Sequence, residues 1–204
     1  MYRFIALALT VAVLVAATPA LAQNAAAGPG KVVITVIPAG ATFFTEADDN
    51  PDSGSFGSYD LGGAVALNFS RYVGLEGEVS GSIGVSQLIE RRSSTFDGRS
   101  PNTLNFNGNL VLSAPNKTSI VPYVTGGVGG LTMFERGGLF VGDAQTFFTG
   151  NVGGGVSWYA GRWGLRGDYR FIAVQSKNDA PPFFGREERF GHRIYAGVLL
   201  NVAR

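Results

Sequence analysis

Residues 67–84 read LNFSRYVGLEGEVSGSIG, and apolar and polar side chains alternate through both halves of this stretch. Outside a tight turn at residues 70–72, the strongly apolar residues have odd numbers and the polar ones have even numbers. Because successive side chains of a β-strand point to opposite faces, the stretch predicts a hairpin with one apolar and one polar face. The apolar face must lie either against a protein core or against lipid.

Alternation of this kind recurs along the chain and predicts eight strands. Two of them, at residues 32–44 and 121–131, have no clear phase, and Pro38 in the first indicates an edge or a bulge because proline lacks a ladder N–H. The other six are regular and cover residues 59–69, 73–83, 103–112, 148–158, 163–171 and 193–202. The connections alternate between long and short, and the long ones are residues 45–58, 84–102, 132–147 and 172–192.

The composition of the two faces favours lipid. The apolar face of the six regular strands carries no charged residue, and the polar face consists mostly of Gly, Ala, Ser and Asn. A charge at mid-depth on a lipid-facing strand costs about 2–4 kcal/mol, and alternating long loops and short turns are typical of membrane barrels. The predicted fold is therefore all-β: an eight-stranded antiparallel up-and-down transmembrane β-barrel, preceded by a cleaved signal peptide.

The amino-terminal residues 1–22 predict that signal peptide. Arg3 precedes an apolar run, and Ala20-Leu21-Ala22 provides a small-x-small cleavage site. Residues 23–31 are predicted to be a short flexible lead, and residues 32–204 to be the outer-membrane barrel domain. Cleavage removes Arg3 and takes the formal charge from +1 to 0, which gives no electrostatic reason to expect a nucleic acid partner.

Aromatic residues cluster at the ends of the predicted strands and indicate two girdles at the membrane interfaces. The girdle at the short turns is predicted to contain Phe69, Tyr72, Trp158, Tyr159 and Trp163. The girdle at the long loops is predicted to contain Phe43, Phe44, Phe147, Phe148 and Phe171.

The polar phase places six charged residues inside the barrel: Glu76, Glu78, Arg166, Asp168, Arg170 and Arg193. Unpaired buried charge is costly, so these residues must pair or hold water, and bidentate pairs of arginine with carboxylate are the expected units. We interpret them as a polar core that fills the barrel, because eight strands enclose only enough space for side chains. The alternative interpretation is an ion-pair gate in a small pore.

Other candidate motifs do not predict a catalytic, metal or cofactor site. His192 is the only histidine and has no serine motif beside it, and the chain contains no cysteine. The acidic residues 46–52 lack the spacing of an EF-hand, and the glycines of residues 126–130 are not followed by the Lys-Ser/Thr of a phosphate loop. The apolar residues 181–184, PPFF, are expected at a loop tip that could contact a partner surface or lipopolysaccharide.

The segments NFSRYVGLEGEV, VPYVTGGVGG, WGLRGDYRF and HRIYAGVLLNV resemble the small outer-membrane β-barrel superfamily, which includes the outer-membrane protein A-type transmembrane domain. The resemblance extends from residue 32 to the end of the chain. It implies the outer membrane of a diderm bacterium, contact with outer-membrane lipid and lipopolysaccharide, and insertion by the barrel-assembly machinery. Such barrels usually end in an aromatic residue, whereas this chain ends Val202-Ala203-Arg204.

We therefore predict a non-enzymatic, monomeric outer-membrane barrel that requires no cofactor and presents four long extracellular loops in a structural or interaction role. The main alternative is a small pore or transporter that uses the Glu/Arg-lined lumen. A lipid-modifying barrel enzyme and a soluble lipocalin-like ligand binder are further alternatives.

Overall fold

The computed structural model describes residues 28–45, 55–91, 94–134, 144–177 and 188–203. The predicted signal peptide, the acidic segment 46–52 and the apolar tip 181–184 lie outside the described residues. Within the described ranges, no helix has the length and hydropathy that a membrane crossing requires. The strands are β1 Val32–Phe44, β2 Phe56–Asn68, β3 Val73–Gly84, β4 Ser86–Arg91, β5 Ser94–Arg99, β6 Asn102–Ser113, β7 Ile120–Phe134, β8 Ala144–Ala160, β9 Trp163–Val174 and β10 Arg189–Ala203.

Eight of these strands close into one antiparallel barrel in the order β1-β10-β9-β8-β7-β6-β3-β2. Pairing of β1 with β10 joins the first and last strands of the chain, so the sheet has no free edge. Closure satisfies the backbone N–H and C=O groups between neighbouring strands, which hydrocarbon requires. The predicted fold class is confirmed, and the first predicted strand has the same bounds as β1.

Pro38 lies in an irregular part of β1. The register of β1 shifts between Val36 and Ala39 on the β10 side and between Ile37 and Gly40 on the β2 side. The hydroxyl of Tyr59 donates a hydrogen bond of 2.5 Å to the Pro38 carbonyl. The bulge thus accommodates a residue that has no N–H, and a side chain from the neighbouring strand satisfies its carbonyl.

The second long connection differs from the prediction, because residues 84–102 are not simply a loop. They contain a two-stranded hairpin formed by β4 and β5. The Gln87 side chain holds its base against β2: Nε2 donates to the Gly57 carbonyl at 2.9 Å, and Oε1 accepts from the Gly57 N–H at 3.0 Å. The hairpin is therefore attached to the barrel by more than its two chain connections.

The two faces of the barrel differ completely in charge. All eight charged residues of the barrel strands are buried: Asp60, Glu76, Glu78, Arg166, Asp168, Arg170, Arg189 and Arg193. The outward positions are instead exposed aliphatic and aromatic side chains, such as Val79 at 54% and Val152 at 58% exposure. An exposed apolar surface of this extent, around a lumen that holds the charges, matches a barrel surrounded by lipid.

Candidate functional site: the charged layer inside the barrel

The predicted lumen charges come from three strands, β3, β9 and β10. In the closed order, β3 and β9 are four strands apart in either direction, so they face each other across the lumen. Carboxylates on β3 and guanidinium groups on β9 can therefore meet only by crossing the barrel interior. The structure brings all six predicted residues together there.

Arg166 makes the first of these crossings. Its Nη1 bonds Glu76 on the opposite strand, and its Nη2 lies 3.0 Å from Asp168 Oδ2. Its Nε donates to the Tyr123 hydroxyl at 2.7 Å, and the same hydroxyl bonds Asp168. All three guanidinium nitrogens of Arg166 therefore have partners, as a buried guanidinium requires.

Arg170 makes the second crossing, two inward-facing positions further along β9, beyond Asp168. Its Nη2 lies 3.0 Å from Glu76 Oε1 and 3.1 Å from Glu78 Oε2. Its Nε donates to Asp168 Oδ1 at 2.9 Å. Arg170 thus links both glutamates of β3 to the aspartate of its own strand.

Arg193 extends the layer toward β2. Its Nη1 bonds Glu78, and its Nε lies 3.4 Å from Asp60 Oδ2. Asp60 also accepts a hydrogen bond of 2.5 Å from the Thr42 hydroxyl. We define the charged layer as Asp60, Glu76, Glu78, Arg166, Asp168, Arg170 and Arg193, in which each arginine contacts at least two carboxylates.

The sequence-predicted set lacked Asp60 and the two tyrosines that support the layer. The Tyr195 ring is a shared support, because the guanidinium carbons of three arginines lie within 6 Å of its centre, the range of cation–π attraction. Asp60 and Tyr195 lie in the inward phase of their strands, so the alternation contained the signal for them. Tyr123 lies on β7, whose glycine-rich sequence left the phase ambiguous.

Apolar side chains cover the charged layer at both ends of the barrel. One buried apolar cluster lies on the loop side and includes Leu131 and Phe147. The other lies on the short-turn side and includes Val33 and Leu199. The complete loop-side cluster is Phe44, Phe56, Leu131, Met133, Phe147, Ile172 and Val174, and the complete short-turn cluster is Val33, Ala66, Val121, Tyr159 and Leu199. The ion pairs therefore lie between two water-poor layers, where their mutual attraction is strong and the loss of one partner is costly.

The structure corrects the predicted girdles at three positions. Phe44, Phe147 and Tyr159 lie inside the barrel, where they are 2%, 1% and 6% exposed. Each is next in sequence to another girdle candidate, and adjacent residues of a strand point to opposite faces, so only one of each pair can face lipid. The other seven predicted girdle residues point outward: Phe43, Phe69, Tyr72, Phe148, Trp158, Trp163 and Phe171.

Glycines of β7 allow side chains on the neighbouring strands to meet. Gly127 pairs with Asn109 on β6 and with Asn151 on β8. Asn151 Nδ2 donates to Asn109 Oδ1 at 3.0 Å, so this hydrogen bond bridges the two strands that flank Gly127. The glycine therefore leaves room for an amide hydrogen bond that links β6 to β8 across β7.

Gly127→Ala is expected to destabilise the barrel by about 1–3 kcal/mol, the usual range for overpacking. A Cβ at this position would lie 2.2 Å from the Gly108 carbonyl oxygen and 2.3 Å from Asn109 Oδ1. Gly108→Ala is the matched control, because a Cβ there meets no atom within 4 Å. Urea unfolding in detergent or bilayers compares the two variants, and equal stabilities would contradict the tight approach.

His192 lies on the outward side of β10, away from the charged layer. Its Nδ1 is 2.7 Å from the Tyr169 hydroxyl, and its ring packs edge-on against Phe171 with centres 5.5 Å apart. Among the described residues it therefore belongs to an aromatic group on the outer surface. The absence of catalysis remains a prediction.

A pocket of about 30 Å³ lies at the short-turn end of the lumen. The residues that line it include Pro29 and Tyr159 as well as Glu76 and Arg166 of the charged layer. Residues 28–31, the end of the predicted flexible lead, lie beside it. Gly30 is fixed there, because its N–H donates to Asn201 Oδ1 at 2.9 Å and its carbonyl accepts from Asn68 Nδ2 at 2.7 Å.

A closed eight-stranded barrel, apolar outside and filled with paired charges inside, defines an integral outer-membrane β-barrel protein. The sequence matches the outer membrane protein beta-barrel domain over residues 8–200, and the chain belongs to this family. The protein is therefore a Gram-negative outer-membrane protein, which is inconsistent with the soluble lipocalin-like alternative. A comparison with curated proteins found no match.

Solved structures of small outer-membrane barrels are similar in fold. Neisserial surface protein A (NspA) has a TM-score of 0.62 and 12% identity, with 86% of this chain and 99% of that chain covered. The amino-terminal barrel of Pseudomonas aeruginosa OprF has a TM-score of 0.46 and 12% identity, with 85% and 100% covered. Yersinia pestis Ail, in complex with the heparin analogue sucrose octasulfate, has a TM-score of 0.45 and 13% identity, with 84% of this chain and 99% of that chain covered. At these identities the likeness concerns the fold alone.

Proposed function

We propose that this protein is a closed scaffold in the outer membrane that presents its long loops at the cell surface in a structural or interaction role. The observation that supports this proposal is the blocked lumen. An apolar cluster at each end and the charged layer between them occupy the interior. A solute that crossed the barrel would have to displace all three.

The β4–β5 hairpin supports the presentation role. Its base is held to β2 by Gln87 and by the Ser100 hydroxyl, which donates to the Gly57 carbonyl at 2.9 Å. A ribbon attached in this way loses less conformational entropy on binding than a free loop does. The loop side is therefore suited to contact a partner.

A small pore is the second candidate, and two observations favour it. The short-turn pocket extends to Arg166 and Glu76, so a small cavity borders the charged layer on that side. Several buried polar atoms near the middle of the lumen, including Thr125 Oγ1 and Arg170 Nη1, have no protein partner. Such atoms are usually satisfied by internal water, which could support transient conduction.

Conductance across a planar bilayer distinguishes the scaffold from the pore. If the protein is a closed scaffold, the folded wild-type protein shows no steady single-channel conductance, because the apolar clusters exclude ions. Steady conductance that Arg166→Ala abolishes and Ser80→Ala leaves intact would favour the pore instead. Heat-dependent gel mobility confirms that each variant is folded before it is measured.

The remaining assignments also stay proposals. These are export by the predicted signal peptide, a monomeric state, insertion by the barrel-assembly machinery, contact with lipopolysaccharide and the absence of enzymatic activity. Mass spectrometry of membrane lipids after expression tests the last of these, since a lipid-modifying enzyme would change the lipid profile.

A further inference from the structure

Positive residues surround the barrel at its short-turn end. Arg71 lies between β2 and β3, Lys117 between β6 and β7, and Arg162 between β8 and β9, while Lys31 precedes β1. All four side chains are exposed. We call these four residues the basic rim. Every connection at this end contributes one of them, so the charge is distributed around the circumference.

The basic rim has no acidic counterpart. No Asp or Glu occurs in residues 22–45, 61–75, 98–134, 144–167 or 189–204, which include all the chain at this end of the barrel. Within the described ranges, no carboxylate forms an ion pair with any of the four cations. Their charge is therefore directed outward rather than neutralised within the protein.

The opposite end has the reverse charge. The segments that connect strands there contain eleven acidic and six basic residues, a formal charge of −5. The acidic residues are Glu46, Asp48, Asp49, Asp52, Glu90, Asp97, Glu135, Asp143, Asp179, Glu187 and Glu188, and the basic ones are Arg91, Arg92, Arg99, Arg136, Lys177 and Arg186. The sequences that connect strands at the two ends of the barrel thus carry opposite formal charges in a nearly neutral chain.

The backbone of the basic rim is well fixed. Phe69 and Ser70 donate backbone hydrogen bonds to the Val73 carbonyl in the turn that carries Arg71, at 3.0 and 3.2 Å. The turn that carries Lys117 is closed by Asn116, whose Oδ1 accepts from the Thr118 N–H at 2.7 Å. Long cationic side chains on these turns can place their stems along apolar surface and keep their charged ends at the interface.

Lipid-facing aromatic residues lie directly beside the rim. Phe69 and Tyr72 flank Arg71, whose guanidinium carbon is 5.6 Å from the Tyr72 ring centre, and Trp163 follows Arg162. Phe69 is 71% and Trp163 is 60% exposed. Aromatic residues of this kind occupy the headgroup level of a bilayer, so the neighbouring cations lie at the depth of lipid phosphates.

We infer that the basic rim binds the phosphate groups of anionic phospholipids in the periplasmic leaflet, with phosphatidylglycerol-type headgroups as the occupant. Short turns of outer-membrane barrels face the periplasm, which fixes the leaflet. Cations near an anionic membrane surface attract its lipids, while the acidic loop end repels them. The inference does not depend on whether the lumen is closed or conducts.

Electron paramagnetic resonance with spin-labelled lipids tests the inference on the refolded mature protein in phosphatidylcholine bilayers. The quantity measured is the association of labelled phosphatidylglycerol relative to labelled phosphatidylcholine. We expect a preference of about two- to fivefold for the anionic lipid, because each cation near the surface contributes on that order. Combined substitution of Lys31, Arg71, Lys117 and Arg162 by glutamine should abolish it.

A matched variant distinguishes the effect of the basic rim on lipid preference from the effect of the protein's net charge. Combined substitution of Arg91, Arg92, Arg99 and Lys177 by glutamine removes the same formal charge at the loop end and should retain the preference. Equal losses in both variants would overturn the inference, because net charge would then suffice. The absence of any wild-type preference would overturn it as well.

Two further measurements on the wild-type protein need no variant. Higher salt should reduce the preference, because the Debye length shortens from about 10 Å at 0.1 M to about 3 Å at 1 M. Glycerol phosphate in solution should not compete at concentrations equal to the lipid headgroups. A salt-independent preference, or effective competition by the soluble phosphate, would contradict binding to the lipid surface.

Discussion

Glu76→Ala is expected to lower the free energy of unfolding of the barrel by about 3–5 kcal/mol, the usual effect of removing one partner of a buried ion pair. Glu76 bonds Arg166 and lies 3.0 Å from Arg170 Nη2, and it is 2% exposed. Without it, two guanidinium groups lose a carboxylate in a region that apolar clusters separate from water. Urea titration of the refolded protein, followed by gel mobility and tryptophan fluorescence, measures the effect.

Ser80→Ala is the matched control for this variant. Ser80 lies on the same strand and the same face and is 1% exposed, but its hydroxyl has no hydrogen-bond partner in the protein. Its removal should therefore change stability by less than about 1 kcal/mol. If the two variants were equally stable, the ion pairs would not be what holds β3 to β9.

A double-mutant cycle tests the crossing directly. Glu76→Ala combined with Arg166→Ala should cost less than the two single losses added together, since neither residue then leaves the other unpaired. Additive losses would mean that the two side chains act independently despite their contact.

The inward charges were predictable because alternation on β3 and β9 is regular. One face is strongly apolar and the other is polar, so a shift of one residue would place every charge in lipid. Their pairing was not predictable from the sequence. The predicted up-and-down order already places β3 and β9 opposite each other. Which glutamate meets which arginine depends on the register of the strands around the barrel, and the sequence does not give that register.

The girdle error has a different origin. Clustering of aromatic residues at strand ends predicts their depth in the membrane, but it does not predict which face of the strand each ring occupies. Alternation requires that one of the neighbours Phe147 and Phe148 points inward and the other outward. In the structure Phe147 is buried and Phe148 is exposed. This correction needed no information beyond the sequence.

Two parts of the fold could not be predicted from the alternation of apolar and polar residues: the phase of β7 and the hairpin formed by β4 and β5. On β7, glycines occupy positions on both faces, so neither face contrasts with the other, and the inward position of Tyr123 could not be assigned. In the second long connection, charged residues in β4 and β5 conceal the alternation that a hairpin would otherwise show. Outside the lipid a strand needs no apolar face, so periodicity is a weaker guide there.

Val79→Arg is expected to destabilise the folded protein by about 2–4 kcal/mol in bilayers, the range for arginine at mid-depth of a barrel's lipid face. Val79 lies near the middle of β3 and is 54% exposed on the outer surface, opposite Gly63 and Phe106. An arginine there would have to cross much of the roughly 15 Å half-thickness of the hydrocarbon to reach headgroups. Its side chain is too short to do so without drawing water or headgroups inward.

Leu67→Arg is the control that distinguishes the effect of depth in the membrane from the effect of an outward-facing position. Leu67 is also outward-facing, at 52% exposure, but it is the second-last residue of β2 and lies next to the short turn. An arginine there can extend to the periplasmic headgroups, so the expected loss is only about 0–1 kcal/mol. Equal losses at the two positions would contradict a hydrocarbon environment for the outer face. A stable, monodisperse protein in buffer without detergent would contradict it more directly, because thirty large apolar side chains are exposed among the described residues.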